Sequence, residues 1–160
     1  MKKLIQWVVV AAVILLISQK IYHRFIANPE LPVETTVLTN GTGAQYDLRR
    51  DTHSYILISY IQSWCGDCIR EIPSMVELQK EIGTDKIQVV LISDEPKEKI
   101  KQIEQRFNGA ITVYQSAKSM SDMDMHVFPT TFLIDSDRKI LLVKKEGFDW
   151  NGEEVRALVK

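Results

Sequence analysis

Two cysteines are all that the 160 residues contain. That excludes the small secreted scaffolds whose fold is built from disulfides. Charge of one sign is lacking too. Twenty basic against twenty-one acidic residues leave a net charge of −1, so no global basic field points to nucleic acid. Only seven glycines and five prolines occur, with 45% hydrophobic and 26% charged residues. Collagen-like, coiled-coil and wholly disordered chains are thereby excluded. No internal repeat or low-complexity tract occurs. The three histidines, His23, His53 and His126, have no ligand spacing. Two cysteines supply half of the roughly four ligands that zinc requires, so no metal is expected. What remains is an ordinary globular composition, long enough for one domain with its own core.

The even charge hides an asymmetry. Residues 1–27 hold Lys2, Lys3, Lys20 and Arg24 and no acid, while the remainder carries 16 basic and 21 acidic residues. Hydrophobicity also concentrates at the start. Leu4 to Ile17 is fourteen residues with Gln6 as the one polar member. A basic start and an apolar stretch fit a signal peptide, yet no small-residue cleavage pattern follows. Leu4 to Tyr22, with Lys20 snorkelling outward, would reach about 28 Å, near the roughly 30 Å of a bilayer core. Trp7 and Tyr22 would then mark the two interfaces. Residues 1–27 are therefore expected to be an uncleaved transmembrane signal anchor, with a cleaved signal peptide as the alternative. Asn28-Pro29-Glu30-Leu31-Pro32 suits an extended linker over 28–34. The rest is expected outside the cytoplasm, since a whole domain follows a very short N-terminal tail.

Alternating patterns follow. Thr35–Leu38 and Gln45–Leu48, around the turn signal Asn40-Gly41-Thr42-Gly43, suit a hairpin. Tyr55–Ile61 and Ile87–Ser93 are short apolar runs of the kind buried on both sheet faces. Thr131–Ile134 and Ile140–Val143 make a strand pair joined by Asp135-Ser136-Asp137, hence antiparallel. Helices are predicted from Ile69 to a stop at Gly83, from Pro96 to Asn108-Gly109, and around Trp150–Leu158. This order predicts an α/β fold with a central mixed β-sheet flanked by helices.

The cysteines stand in Trp64-Cys65-Gly66-Asp67-Cys68, between a buried strand and a helix start. Unpaired N–H groups and the positive dipole end of a helix stabilise a thiolate there. Cys65 is expected on an exposed turn, with Cys68 one turn inward, near enough to attack a mixed disulfide at Cys65. A structural disulfide across so short a loop would contribute only about 2 kcal/mol. The spacing points to a redox-active pair.

Strand, Trp-Cys-Gly-Asp-Cys and helix together resemble the thioredoxin superfamily. Pro73 is similar to the proline inside the family's active-site helix. Phe128-Pro129-Thr130-Thr131 resembles its cis-proline loop. The hairpin before the first core strand is similar to that of membrane-anchored TlpA-like thiol–disulfide oxidoreductases. The resemblance implies a thioredoxin-like domain over 35–160, with Cys65 and Cys68 catalytic and their disulfide in place of any cofactor. Trp64, Gly66, Asp67, Phe128, Pro129 and Thr130 would meet the substrate. Protein disulfides would be substrates, and a membrane electron donor would be a partner. Ser59 stands where thioredoxins carry a buried aspartate. Glu71 matches the glutamate beside the TlpA-like site and can approach Cys68 on one helix face. Its expected role is proton transfer. Asp67 stands where many relatives have proline; its charge disfavours thiolate and points towards a reductant. An oxidase or isomerase of the same fold, a peroxidase of related fold and a non-catalytic tethered binding module are the alternatives. The peroxidase lacks its Thr-x-x-Cys pattern here.

Overall fold

The structure, a computed structural model, describes the backbone of residues 2–22, 31 and 37–159 and the side chains of 6–19, 22, 31 and 37–159. Two units emerge, Met1–Glu30 and Leu31–Lys160.

In the first unit, α1 spans Lys2–Ile21. Its apolar side chains from Trp7 to Ile17 include nine large ones that are exposed. The transmembrane expectation is corrected here. Among the described residues no helix is long and apolar enough to cross a membrane. The physical reason is length. The apolar run Leu4–Ile17, with Gln6 inside it and Ser18-Gln19 after it, reaches about 21 Å, against a bilayer core of about 30 Å. Apart from Leu31, the linker expected at 28–34 lies outside the described residues.

The second unit assembles around β3 (Tyr55–Tyr60), whose last five residues are buried. Isoleucine and leucine fill this strand because helices or loops cover both of its faces. It pairs in parallel with β4 (Ile87–Ser93) and antiparallel with β6 (Thr130–Asp135). β4 pairs in parallel with β5 (Val113–Ser116), and β6 antiparallel with β7 (Ile140–Lys144). The hairpin of β1 (Leu38–Thr39) and β2 (Gln45–Tyr46) joins the edge at β5. The seven strands run β2-β1-β5-β4-β3-β6-β7. The expected α/β thioredoxin-like fold with a mixed sheet is present. β5 carries no pattern that sequence reading used; its two middle residues, Tyr114 and Gln115, are half-buried.

Period-two alternation divides the core between the sheet's faces. Leu57, Ile61, Leu91 and Leu133 pack with the helices, namely α2 (Gly66–Ile82), α3 (Lys97–Arg106) and α4 (Glu153–Leu158). Ile56, Ile58, Tyr60, Ile92 and Phe132 pack with Leu38, Leu48, Met120, Met123 and Met125. Ser59 and Thr131 face each other across the β3–β6 ladder. By the same alternation they lie on the face that carries α2.

α2 buries Cys68, Glu71, Ile72, Met75 and Leu78, the i, i+3, i+4, i+7 stripe of an amphipathic helix. It ends at Gly83, whose φ of 107° and ψ of 133° are open to glycine and strained for L residues. Pro96 precedes α3 as its cap instead of standing in its first turn.

Candidate functional site

Cys65 closes the loop after β3 and caps α2. Its Sγ accepts the backbone N–H of Cys68 at 3.1 Å, which is how a sulfur at a helix N-terminus gains its stabilisation. A disulfide joins Cys65 to Cys68. Cys65 keeps 6% of its surface exposed and Cys68 none. The expectation of an exposed turn is thus corrected in degree. Gly66 and Asp67 are exposed, but the sulfur-bearing residue itself is nearly covered because it faces the core.

Acidic groups beyond β4 hold the loop before Cys65. Ser63 donates its N–H and its hydroxyl to Glu95 at 2.5 and 2.6 Å, and Gln62 donates to Asp94 at 2.7 Å. Asp94 also accepts the N–H of Met120.

Trp64 is 71% exposed and meets the ring of Phe128 edge-on, with centroids 5.8 Å apart. The Phe128-Pro129 peptide is cis, and Pro129 is buried. The Thr130 side chain is buried as well and donates to the Val127 carbonyl at 2.7 Å, so it holds the proline loop from within. Asp67 pairs with Arg70. Gly147 lies against Asp67, where an added Cβ would stand 3.5 Å from the Asp67 side chain. His126 lies in the loop before Pro129 and pairs with Asp124 at 2.9 Å.

Glu71 lies one turn after Cys68 on the same buried face and is 3% exposed. Its Oε2 accepts the indole N–H of Trp150 at 3.1 Å and the backbone N–H of Phe148 at 3.2 Å. Its Oε1 accepts the hydroxyl of Thr131 at 3.3 Å, and Thr131 is 2.7 Å from the hydroxyl of Ser59. Burial pushes the carboxyl up to about 7, against the three donors that favour the charged form; the Asp67 charge adds to the rise. A carboxyl with that acidity is available both as acid and as base near neutrality.

The geometry therefore groups Cys65, Cys68 and Glu71 at the start of α2, with Trp64 and Phe128 at the rim. Thr131, Trp150 and Phe148 were missed by sequence reasoning. They reach Glu71 from 60 to 79 positions away, and no local pattern signals such a contact. Among the described residues no group of three or more His, Cys, Asp or Glu is placed to hold a metal ion.

Known proteins are similar to this chain in sequence and in fold. The ResA thiol-disulfide oxidoreductase of Bacillus cereus is 25% identical over 131 residues, covering 76% of this chain and 75% of that protein. ResA of Geobacillus kaustophilus is 26% identical over 107 residues, covering 65% of this chain and 62% of that protein. The thioredoxin domain of a Bacteroides vulgatus thiol-disulfide oxidoreductase superposes with a TM-score of 0.68 at 17% identity, over 84% of this chain and 99% of that one. A thiol:disulfide interchange protein from Bacteroides sp. gives 0.67 at 18% identity, over 79% and 88%; these two establish fold alone. The AhpC/TSA family model matches residues 29–143. The chain belongs to the AhpC/TSA family and is, by its disulfide and its relatives, a thioredoxin-like thiol-disulfide oxidoreductase.

Proposed function

We propose that the protein is a reductant of protein disulfides that works outside the cytoplasm, at the membrane surface. The observation that carries this reading is the asymmetry of the pair. Cys65 caps α2 and still touches solvent, whereas Cys68 is sealed beneath it.

The reaction begins from the dithiol. The Cys65 thiolate attacks a substrate disulfide, forms a mixed disulfide and expels one substrate thiolate. Cys68 gives its proton to the Glu71 carboxylate. Its thiolate attacks the Cys65 sulfur, closes the Cys65–Cys68 disulfide and expels the second substrate thiolate. Two electrons pass to the substrate, and a membrane electron donor restores them. Trp64 and Phe128 offer an aromatic edge to the substrate chain, with Gly66, Asp67 and the backbone around Pro129 and Thr130 beside it.

The negative charge of Asp67 supports the reducing direction, because it opposes the helix dipole at the thiols. The exposed apolar run Trp7–Ile17 supports contact with a membrane, since such a patch is costly in water. Insulin reduction and the equilibrium potential against glutathione test the direction. A potential near the roughly −120 mV of a strong oxidant would contradict a reductant. Protease added to intact spheroplasts tests location: digestion of the domain is expected, and protection until lysis would contradict it. The family match invites a peroxidase reading, but Gln62 stands where Thr-x-x-Cys would place threonine. Peroxide consumption by the reduced protein would favour that reading.

A further inference from the structure

We propose that Trp150 is a positioning residue for the thiol exchange: with the Phe148 N–H it locks Oε2 of Glu71 as a permanent acceptor, so that the exchanging proton is carried on Oε1. The inference rests on Glu71 serving the exchange proposed above, but its test does not require exchange.

The reasoning is one of donor and acceptor capacity. An indole N–H and a backbone N–H can donate and cannot accept. Both point at Oε2, at 3.1 and 3.2 Å. A proton on Oε2 would have to displace one of them and leave a buried donor unpaired, which costs more than an ordinary hydrogen bond contributes. Oε1 faces a different partner. The Thr131 hydroxyl, 3.3 Å away, can donate to an ionised Oε1 or accept from a protonated one. Either member of the Ser59–Thr131 pair can be the donor across 2.7 Å. Both hydroxyls are buried, at 0% and 1% exposure. The hydroxyl side of the carboxyl thus accommodates both protonation states, while the N–H side accommodates one.

Trp150 suits the task. It is fully buried, stacks edge-on with Phe148 at 5.1 Å, and its backbone N–H donates to the Ser74 hydroxyl at 3.1 Å. Trp150 is therefore tied to α2 at two points, its indole at Glu71 and its backbone at Ser74, one turn beyond. Charges around the site are few. Asp67 on α2 acts on Glu71 and is paired with Arg70. Lys144 lies over the Phe148 ring and pairs with Glu154. β3 and β6 present the hydroxyls of Ser59 and Thr131.

The test uses the full chain in detergent, in its disulfide form, where neither cysteine titrates. The Glu71 side-chain carboxyl carbon and the Trp150 indole N–H are followed by NMR from about pH 5 to about pH 9, spanning the neutral range. The indole signal is identified by its loss in Trp150→Phe. Both signals are expected to move with one midpoint, and Glu71→Gln is expected to abolish the movement of the indole. Trp150→Phe is expected to lower the Glu71 acid constant by about tenfold, since the ionised form loses a donor. An indole that stays still while Glu71 titrates would overturn the proposal, as would an unchanged midpoint in folded Trp150→Phe. If that variant does not fold, the wild-type indole titration decides. Normal exchange by Glu71→Gln, together with coupled titration, would instead sink the role of Glu71 and leave the Trp150 lock standing.

Discussion

The backbone N–H of Cys68 points at the sulfur of Cys65 at 3.1 Å, so the two cysteines are unequal before any substrate arrives. One is a capping acceptor with 6% of its surface exposed, and the other is a buried residue of the helix face. Cys65→Ser should abolish insulin reduction, with a loss of at least about a thousandfold, because no second accessible nucleophile exists in the pair. Residual activity above a tenth of wild type would contradict the order of attack.

Glu71 makes stability depend on pH. Its folded value, raised to about 7 from 4.5, means that the native state binds the extra proton between those limits. The sign follows: this contribution is present in full below about pH 4.5, falls as pH rises, and is gone above about 7. The oxidised protein should lose on the order of 2–3 kcal/mol of unfolding free energy between those limits through this group. Urea unfolding of wild type and Glu71→Gln at both ends checks it. The glutamine variant should lack this component.

Trp64 offers a separation of binding from folding. With 71% of its surface exposed, its replacement by alanine should change stability by no more than about 1 kcal/mol, most of it the lost edge contact with Phe128. Reduction of a protein substrate should fall several-fold through KM, with little change for a small disulfide. An equal fall for both substrates would argue against a docking role.

Gly83→Ala should destabilise the domain by about 1–3 kcal/mol, because a side chain must adopt the φ of 107° that ends α2. Thermal unfolding reads this directly. Exchange activity of the folded fraction should be unchanged, since Gly83 lies at the far end of the helix from the cysteines.

The contrast between Glu71 and Trp150 shows how far the sequence could be read. Glu71 was legible because it matches the glutamate of the TlpA-like resemblance and a spacing of three puts it on the helix face of Cys68, and the strands β3 and β4 were legible because unbroken apolar runs imply burial on both faces. Ile87–Ser93 matches its strand residue for residue. Trp150 was read as part of the terminal helix, whereas α4 begins at Glu153 and Trp150 reaches across to Glu71. β5 was missed because four residues with a half-buried centre make too short a pattern to declare a strand. The N-terminal run was read as a membrane span because its flanking polar residues were counted in. Tertiary contacts set all of these except the last, which is a matter of length.

The central claim is that Cys65 forms the bond to substrate and Cys68 breaks it. The most direct measurement is covalent capture in the Cys68→Ser protein, extracted under oxidising conditions and compared with Cys65→Ser. The account predicts reductant-sensitive adducts on Cys68→Ser through Cys65 and none on Cys65→Ser. Adducts absent from both, or equally abundant on Cys65→Ser, would contradict it.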